Sequence, residues 1–156
     1  MFKKVCIIGC GLIGSSLARA IKKNGLSSKI VSSNRSDSVN KKVIELKIVD
    51  DSSSDTKKMA DGSDLIIIAT PLSSYESVIL KIKDSLKNGT ILTDVGSVKE
   101  NVISLVEKAV PENVSWISSH PIAGTEESGP RAGFSELFKN KWCILTPSKK
   151  AKDKDI

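Results

Sequence analysis

Ten residues near the start of the chain, Val5-Cys6-Ile7-Ile8-Gly9-Cys10-Gly11-Leu12-Ile13-Gly14, constrain its fold more than any other stretch. Four apolar residues predict a short buried strand, and three glycines follow at the G-x-G-x-x-G spacing. Leu12, Ile13, Ser16, Leu17, Ala20 and Ile21 then recur at helical spacing, with Gly25 as the stop. Each glycine answers a steric demand. Gly9 permits a tight turn, Gly11 lets the backbone approach a pyrophosphate, and Gly14 lets the helix pack closely on the strand. Phosphates resting at the helix N-terminus meet free N–H groups and the favourable end of the helix dipole. The glycine pattern alone is weak. The strand before it and the helix after it turn the pattern into a dinucleotide site, with Gly9, Gly11, Leu12, Ile13 and Gly14 as binding residues.

Ile30 and Val31 begin a second strand that runs out into Ser32-Ser33-Asn34-Arg35-Ser36. Strand, glycine turn, helix and strand thus make one βαβ unit of roughly thirty residues. An acid about twenty residues past the last glycine would grip a ribose 2′-hydroxyl. Asn34 stands there, followed by Arg35. An acid repels a 2′-phosphate, whereas Asn34 and Arg35, flanked by the hydroxyls of Ser33 and Ser36, accept one. The expected cofactor is NADP, with NAD as the alternative. A plainer reading of Arg35 has it stacked on the adenine or pointing to solvent.

Val39, Val43, Ile44 and Leu46 mark a second helix, and Ile48-Val49 a brief apolar stop. The acidic, serine-rich residues 50–55 read as a surface loop. Residues 64–70 are apolar almost throughout, as a strand covered on both faces should be, and Thr70-Pro71 end it facing the cofactor crevice. Tyr75, Val78, Ile79, Ile82 and Leu86 predict a helix closed by Asn88-Gly89. Residues 90–93 read as a strand and residues 94–97 as the loop at its carboxyl end. Val98, Val102, Leu105, Val106 and Ala109 give a helix up to Pro111, and residues 114–117 and 141–146 two further strands. This alternation predicts an α/β fold, a Rossmann-type doubly wound, mostly parallel sheet with helices on both faces. Residues 1–147 form the dinucleotide-binding domain. Residues 148–156, charged and without an apolar stripe, read as a linker stub or the start of a helix.

The formal net charge of +6 is spread in lysine pairs, few aromatics accompany it, and no nucleic-acid motif is present. The charge therefore reads as solubility and attraction for anionic ligands, with no nucleic-acid partner expected. Cys6, Cys10 and Cys143 are an odd count without metal-ligand or C-x-x-C spacing, which suggests buried free thiols and no metal site. With no signal-peptide pattern and no membrane-length apolar run, a cytoplasmic protein is expected.

Two loops are too elaborate for mere connections. In Asp94-Val95-Gly96-Ser97-Val98-Lys99 a hydroxyl sits at a strand-to-helix turn, although Ser97 is equally readable as an ordinary helix cap. The second, His120-Pro121-Ile122-Ala123-Gly124-Thr125-Glu126, holds the sole histidine of the chain, after a strand whose end should face the crevice. A lone histidine is often structural, yet this placement suits proton exchange near neutral pH.

Together with Gly9-Cys10-Gly11-Leu12-Ile13-Gly14-Ser15, these two loops resemble the prephenate/arogenate dehydrogenase family, the TyrA-type enzymes of tyrosine biosynthesis. Ile144-Leu145-Thr146-Pro147 is similar to that family's closing strand, so the resemblance covers essentially the whole chain. It implies NAD(P)-dependent oxidative decarboxylation of prephenate or arogenate to 4-hydroxyphenylpyruvate or tyrosine. By the same resemblance, His120 and Ser97 are catalytic: His120 assists deprotonation of the substrate hydroxyl, and Ser97 binds that hydroxyl and orients the histidine. Ser97, His120, Thr125 and Glu126 line the substrate pocket and its entrance. Family members also carry a helical domain through which they homodimerise and which supplies an arginine for the ring carboxylate. Its absence before Ile156 leads us to expect nucleotide binding but little turnover from this chain alone. The alternatives are a non-catalytic NAD(P)-binding module or another β-hydroxyacid-type dehydrogenase domain.

Overall fold

The computed structural model describes residues 1–98, 100–149 and 151–156. Lys99, which closes the first of the two sequence loops, lies outside the described residues, as do the side chains of Val102 and Leu105. Strand β1 (Val5–Ile8) is buried along its whole length. Because successive side chains point to opposite faces, Cys6 and Ile8 enter one core and Val5 and Ile7 the other. Helices α1 (Leu12–Lys23) and α2 (Asp37–Glu45) cover the second face through Ala18, Ile21 and Val43. Helices α3 (Thr56–Ala60), α4 (Tyr75–Ile82) and α5 (Glu100–Ala109) cover the first through Met59, Ile79 and Val106, among others.

The remaining strands are β2 (Ile30–Ser33), β3 (Asp51–Ser53), β4 (Leu65–Ile68), β5 (Ile91–Asp94), β6 (Ser115–Pro121) and β7 (Cys143–Pro147). They form one sheet in the order β3-β2-β1-β4-β5-β6-β7. All neighbours are parallel except β6 and β7. The chain leaves β1 toward one edge and returns to β4 on its other side. The connections that follow β1 and β4 therefore leave in opposite directions, opening a crevice at the carboxyl ends of these paired strands, which is where such sheets bind ligands.

Four local expectations need correction. Residues 50–55 are not wholly loop: Asp51–Ser53 pair with β2 as an edge strand, Ser52 Oγ lying 2.8 Å from Ser32 Oγ. Helix α4 ends at Ile82 and a 3-10 turn, Lys83–Ser85, precedes Leu86. Strand β6 runs on to Pro121, because antiparallel β7 extends its pairing through His120–Ile144 and Pro121–Cys143. Cys6 and Cys10 are buried free thiols, whereas Cys143 is exposed. Ser148 and residues 152–155 fold back on β6: the Ser148 amide donates to Trp116 O at 3.1 Å, the Lys152 amide to Ser115 Oγ, and Asp155 bonds the same hydroxyl. No helix among the described residues is long and apolar enough to cross a membrane.

Candidate functional site

At the β1–β4 crevice the three glycines carry distinct constraints. Gly9 has φ +97°, and a Cβ there would lie 2.7 Å from Ala69 O, so the two strand ends touch at the crevice floor. A Cβ on Gly14 would fall 2.0 Å from Gly9 O and 3.2 Å from Ile7 Cγ2, which is how tightly α1 sits on β1. A Cβ on Gly11 meets nothing within 4 Å, so its side of the loop is open to a ligand. Gly11 also caps α1 without a side chain to occupy the first N–H groups, and no acid lies in the first turn. Across the crevice, Thr70 Oγ1 is buried with no hydrogen-bond partner. Open backbone donors on one wall and an orphaned hydroxyl on the other fit a phosphate-bearing nucleotide. Leu12 and Ile13 are half-buried beside the glycines, and Pro71 is exposed at the end of β4.

The end of β2 departs from the sequence reading. Ser33 and Asn34 do not present their side chains to the crevice; both are buried. Ser33 Oγ lies 2.9 Å from Thr56 Oγ1. Asn34 Oδ1 accepts from the Cys10 amide at 2.6 Å, and Asn34 Nδ2 donates to Asn40 Oδ1 at 3.0 Å. Asn40 Nδ2 in turn donates to Asn34 O at 3.0 Å. The reason is local: the Cys10 N–H is buried inside the glycine loop and needs an acceptor, and Asn34 supplies one from the neighbouring strand. That need was legible in principle, since a tight turn after a buried strand leaves such donors. Arg35 and Ser36 remain exposed. Arg35 Nη2 donates to Ser74 Oγ at 3.2 Å, spanning from the end of β2 to the turn after β4. Burial pushes the Cys10 thiol up to about 11 and the Cys6 thiol up to about 12.

Ser97 and His120 come from the carboxyl ends of adjacent parallel strands. Ser97 is exposed in the bend between β5 and α5, and His120 is half-buried on β6 opposite Ile144. Between them lies a polar cluster absent from the sequence reading. Asp94, fully buried, accepts from Ser118 Oγ at 2.8 Å and the Ser119 amide at 3.1 Å. Its other oxygen accepts from the Tyr75 hydroxyl at 3.0 Å and the Gly96 amide at 2.9 Å. Burial first, and the Asp94 carboxylate second, hold the Tyr75 phenol protonated far above its ordinary range. The D-x-G-S order was the available signal: an acid ending an apolar strand is buried and must find donors.

Thr125 and Glu126 are exposed at the start of the long excursion, residues 122–142, between β6 and β7. That excursion returns over the carboxyl end of the sheet to α1. The Phe134 amide donates to Ser16 Oγ at 3.1 Å, Glu136 pairs with Lys23, and a Cβ on Gly133 would lie 2.1 Å from Ser15 Oγ. It thus ties the segment carrying Thr125 and Glu126 to the helix that opens the glycine site. Among the described residues, no cluster of three or more His, Cys, Asp and Glu side chains is placed to hold a metal ion.

A doubly wound sheet with an open glycine turn at its switch point defines a Rossmann-type nucleotide-binding domain. Residues 17–156 match the family described as Prephenate dehydrogenase, nucleotide-binding domain, and the chain belongs to that family. The matched span begins after the glycine turn, so the reading of that turn rests on its own geometry. Cyclohexadienyl dehydrogenase of Zymomonas mobilis is 37% identical over 147 residues, covering 94% of this chain and 50% of that protein. Prephenate dehydrogenase of Bacillus subtilis is 32% identical, covering 94% of this chain and 40% of its own length. Among solved structures, prephenate dehydrogenase from Aquifex aeolicus, in complex with hydroxyphenyl propionate and NAD+, superposes with a TM-score of 0.92 at 29% identity. That alignment covers 99% of this chain and 54% of the other. The chain spans about half the length, or less, of these curated relatives.

Proposed function

We propose that this chain binds NAD(P) at the β1–β4 crevice and supplies Ser97 and His120 to the oxidative decarboxylation of prephenate or arogenate. One observation carries the reading: parallel pairing of β5 with β6 brings two loops, distant in sequence, to neighbouring strand ends on the side of the sheet that holds the glycine turn. Gly9, Gly11, Leu12, Ile13 and Gly14 hold the pyrophosphate, and Thr70 and Pro71 border the crevice opposite. NAD(P), when bound, accepts the hydride that leaves the ring carbon bearing the hydroxyl. His120 accepts the hydroxyl proton as the carbonyl forms, which relieves the positive character building on that carbon. Ser97 binds the same hydroxyl and orients the imidazole, while Thr125 and Glu126 border the substrate. Loss of CO2 then aromatises the ring. The second half present in the relatives completes the pocket and mediates dimerisation, in a cytoplasmic setting in keeping with the free thiols.

The finer cofactor reading is NADP over NAD. With Ser33 and Asn34 turned inward, it rests on exposed Arg35 and Ser36 and on an amide, not an acid, at the end of β2. A thermal-shift titration tests it. Saturating nucleotide at about 100 times Kd stabilises by about 2.7 kcal/mol, and NADP should reach that effect at lower concentration than NAD. Arg35→Glu should reverse the order, and a clear NAD preference in the native chain refutes the choice. Turnover is tested with prephenate and arogenate, using the chain alone and mixed with a separately produced C-terminal half of a relative. Nucleotide binding without turnover in either case would leave a non-catalytic module.

A further inference from the structure

The backbone ladder between β5 and β6 ends at the pair Thr93–Ile117. Beyond it, the Asp94 side chain reaches both of the segments that carry Ser97 and His120. Asp94 Oδ1 reaches Ser118 Oγ and the Ser119 amide on β6, and Asp94 Oδ2 reaches the Gly96 amide in the turn and the Tyr75 hydroxyl on α4. Each of these donors takes up one of the roughly four lone-pair directions of a carboxylate. The two backbone donors are telling, because Gly96 immediately precedes Ser97 and Ser119 immediately precedes His120. Ser119 Oγ also donates to the Asp94 carbonyl, a second tie between the same segments. Gly96 is part of the device: a Cβ there would lie 2.9 Å from Leu72 Cδ2 and 3.0 Å from both Asp94 Oδ2 and the Tyr75 hydroxyl. Filling this space with an apolar side chain would avoid the cost of burying a charge. Only an acceptor with two oxygens can grip both backbone segments at once.

We infer that Asp94 is a positioning residue, whose buried carboxylate sets the spacing between Ser97 and His120 while Tyr75 holds that carboxylate from α4. The inference rests on the reading of Ser97 and His120 as a working pair. Asp94→Asn preserves size but not function. Gly96 and Ser119 donate to opposite oxygens, so the new NH2 faces a backbone N–H whichever way the amide turns.

The sole histidine makes the test direct, since its imidazole resonances are unambiguous in the full chain. In the native background, Ser97→Ala should move the His120 imidazole resonances. In the Asp94→Asn background the same substitution should move them less than half as far, a double-mutant cycle that a space-filling role would leave unchanged. The Gly96 and Ser119 amides should also exchange at least about tenfold faster in Asp94→Asn, the loss expected for hydrogen bonds to a charged acceptor. An undiminished Ser97→Ala shift in folded Asp94→Asn overturns the positioning role and leaves the functional reading standing. No shift on Ser97→Ala in the native background removes the pair itself, and the functional reading with it. Should Asp94→Asn fail to fold, Tyr75→Phe removes one donor and keeps the carboxylate. It should weaken the Ser97→Ala shift in the same direction, and an unchanged shift overturns the proposal.

Discussion

Replacing Gly14 and Gly11 by alanine separates the two tasks that the glycine turn performs. At Gly14 the new Cβ would sit 2.0 Å from Gly9 O, whereas real contacts of this kind keep beyond 3.0 Å. Relief requires α1 to move from β1 by about 1 Å, the difference between those distances. The obstructing atom is backbone, so no side-chain rotation relieves it. Overpacking of this kind costs about 1–3 kcal/mol, offset by roughly 0.5–1 kcal/mol from the better helix propensity of alanine. A net loss of about 1–2 kcal/mol lowers Tm by about 2–8 °C, at roughly 2–4 °C per kcal/mol for a chain of this size. At Gly11 a Cβ meets nothing within 4 Å and the backbone φ is −74°, so Gly11→Ala should leave Tm within the shift expected of about 0.5 kcal/mol. Its methyl group instead occupies the side from which a pyrophosphate approaches, and nucleotide affinity should fall at least about tenfold, or 1.4 kcal/mol. Thermal denaturation followed by circular dichroism, with and without NADP, measures both effects. Gly14→Ala melting as high as the native chain, or Gly11→Ala binding nucleotide as tightly, would refute this division of labour.

Asn34→Ala leaves the buried Cys10 amide without its acceptor and should cost about 1–3 kcal/mol, read as a lower urea midpoint at unchanged slope. His120→Asn should lower turnover at least about 10²-fold in any preparation that shows activity, with nucleotide affinity unchanged. Near-normal turnover would remove His120 from the chemistry. The thiols give a pH prediction. Burial raises the folded Cys6 and Cys10 values to about 12 and about 11 from 9.0, so above pH 9 the unfolded chain releases protons that the folded chain keeps. Their contribution is therefore complete below pH 9 and is lost as the pH rises toward 11 and 12. The loss at pH 10 is on the order of 1 kcal/mol per thiol, seen by comparing urea unfolding of the native chain and Cys10→Ala at pH 8 and 10. At pH 8, a thiol reagent should label Cys143 quickly and the other two only on unfolding.

Much of the architecture was legible in the sequence because it depends on local periodicity. The unbroken apolar run of β4 announced a strand covered on both faces, and the spacing of Leu17 and Ile21 announced helix α1, although its buried stripe is made of Gly14, Ser15, Ser16, Ala18 and Ile21, with Leu17 only partly buried. The glycines announced their turn, since only a residue without a Cβ tolerates φ +97° at Gly9 or the approach of Gly9 O to Gly14. The loops carrying Ser97 and His120 stood out by composition. Edge strand β3 did not, because Asp51-Ser52-Ser53 shows no apolar alternation and is held partly by hydroxyls of a neighbouring strand. Nor did the length of β6, which depends on pairing with β7 across an excursion of some twenty residues.

The sequence by itself determined the order of the strands and helices, β3 and the short helix α3 (Thr56–Ala60) aside, and the place of the turn at the end of β1. Those follow from hydrophobic period and steric demand within a few neighbouring residues. Only the tertiary structure decided which polar groups turn inward: Asn34 under the glycine loop and Asp94 between the strands that carry Ser97 and His120. A buried polar group lies where its partners are, and for these two the partners come from 24 residues away at Cys10 and from 19 and 24 residues away at Tyr75 and Ser118.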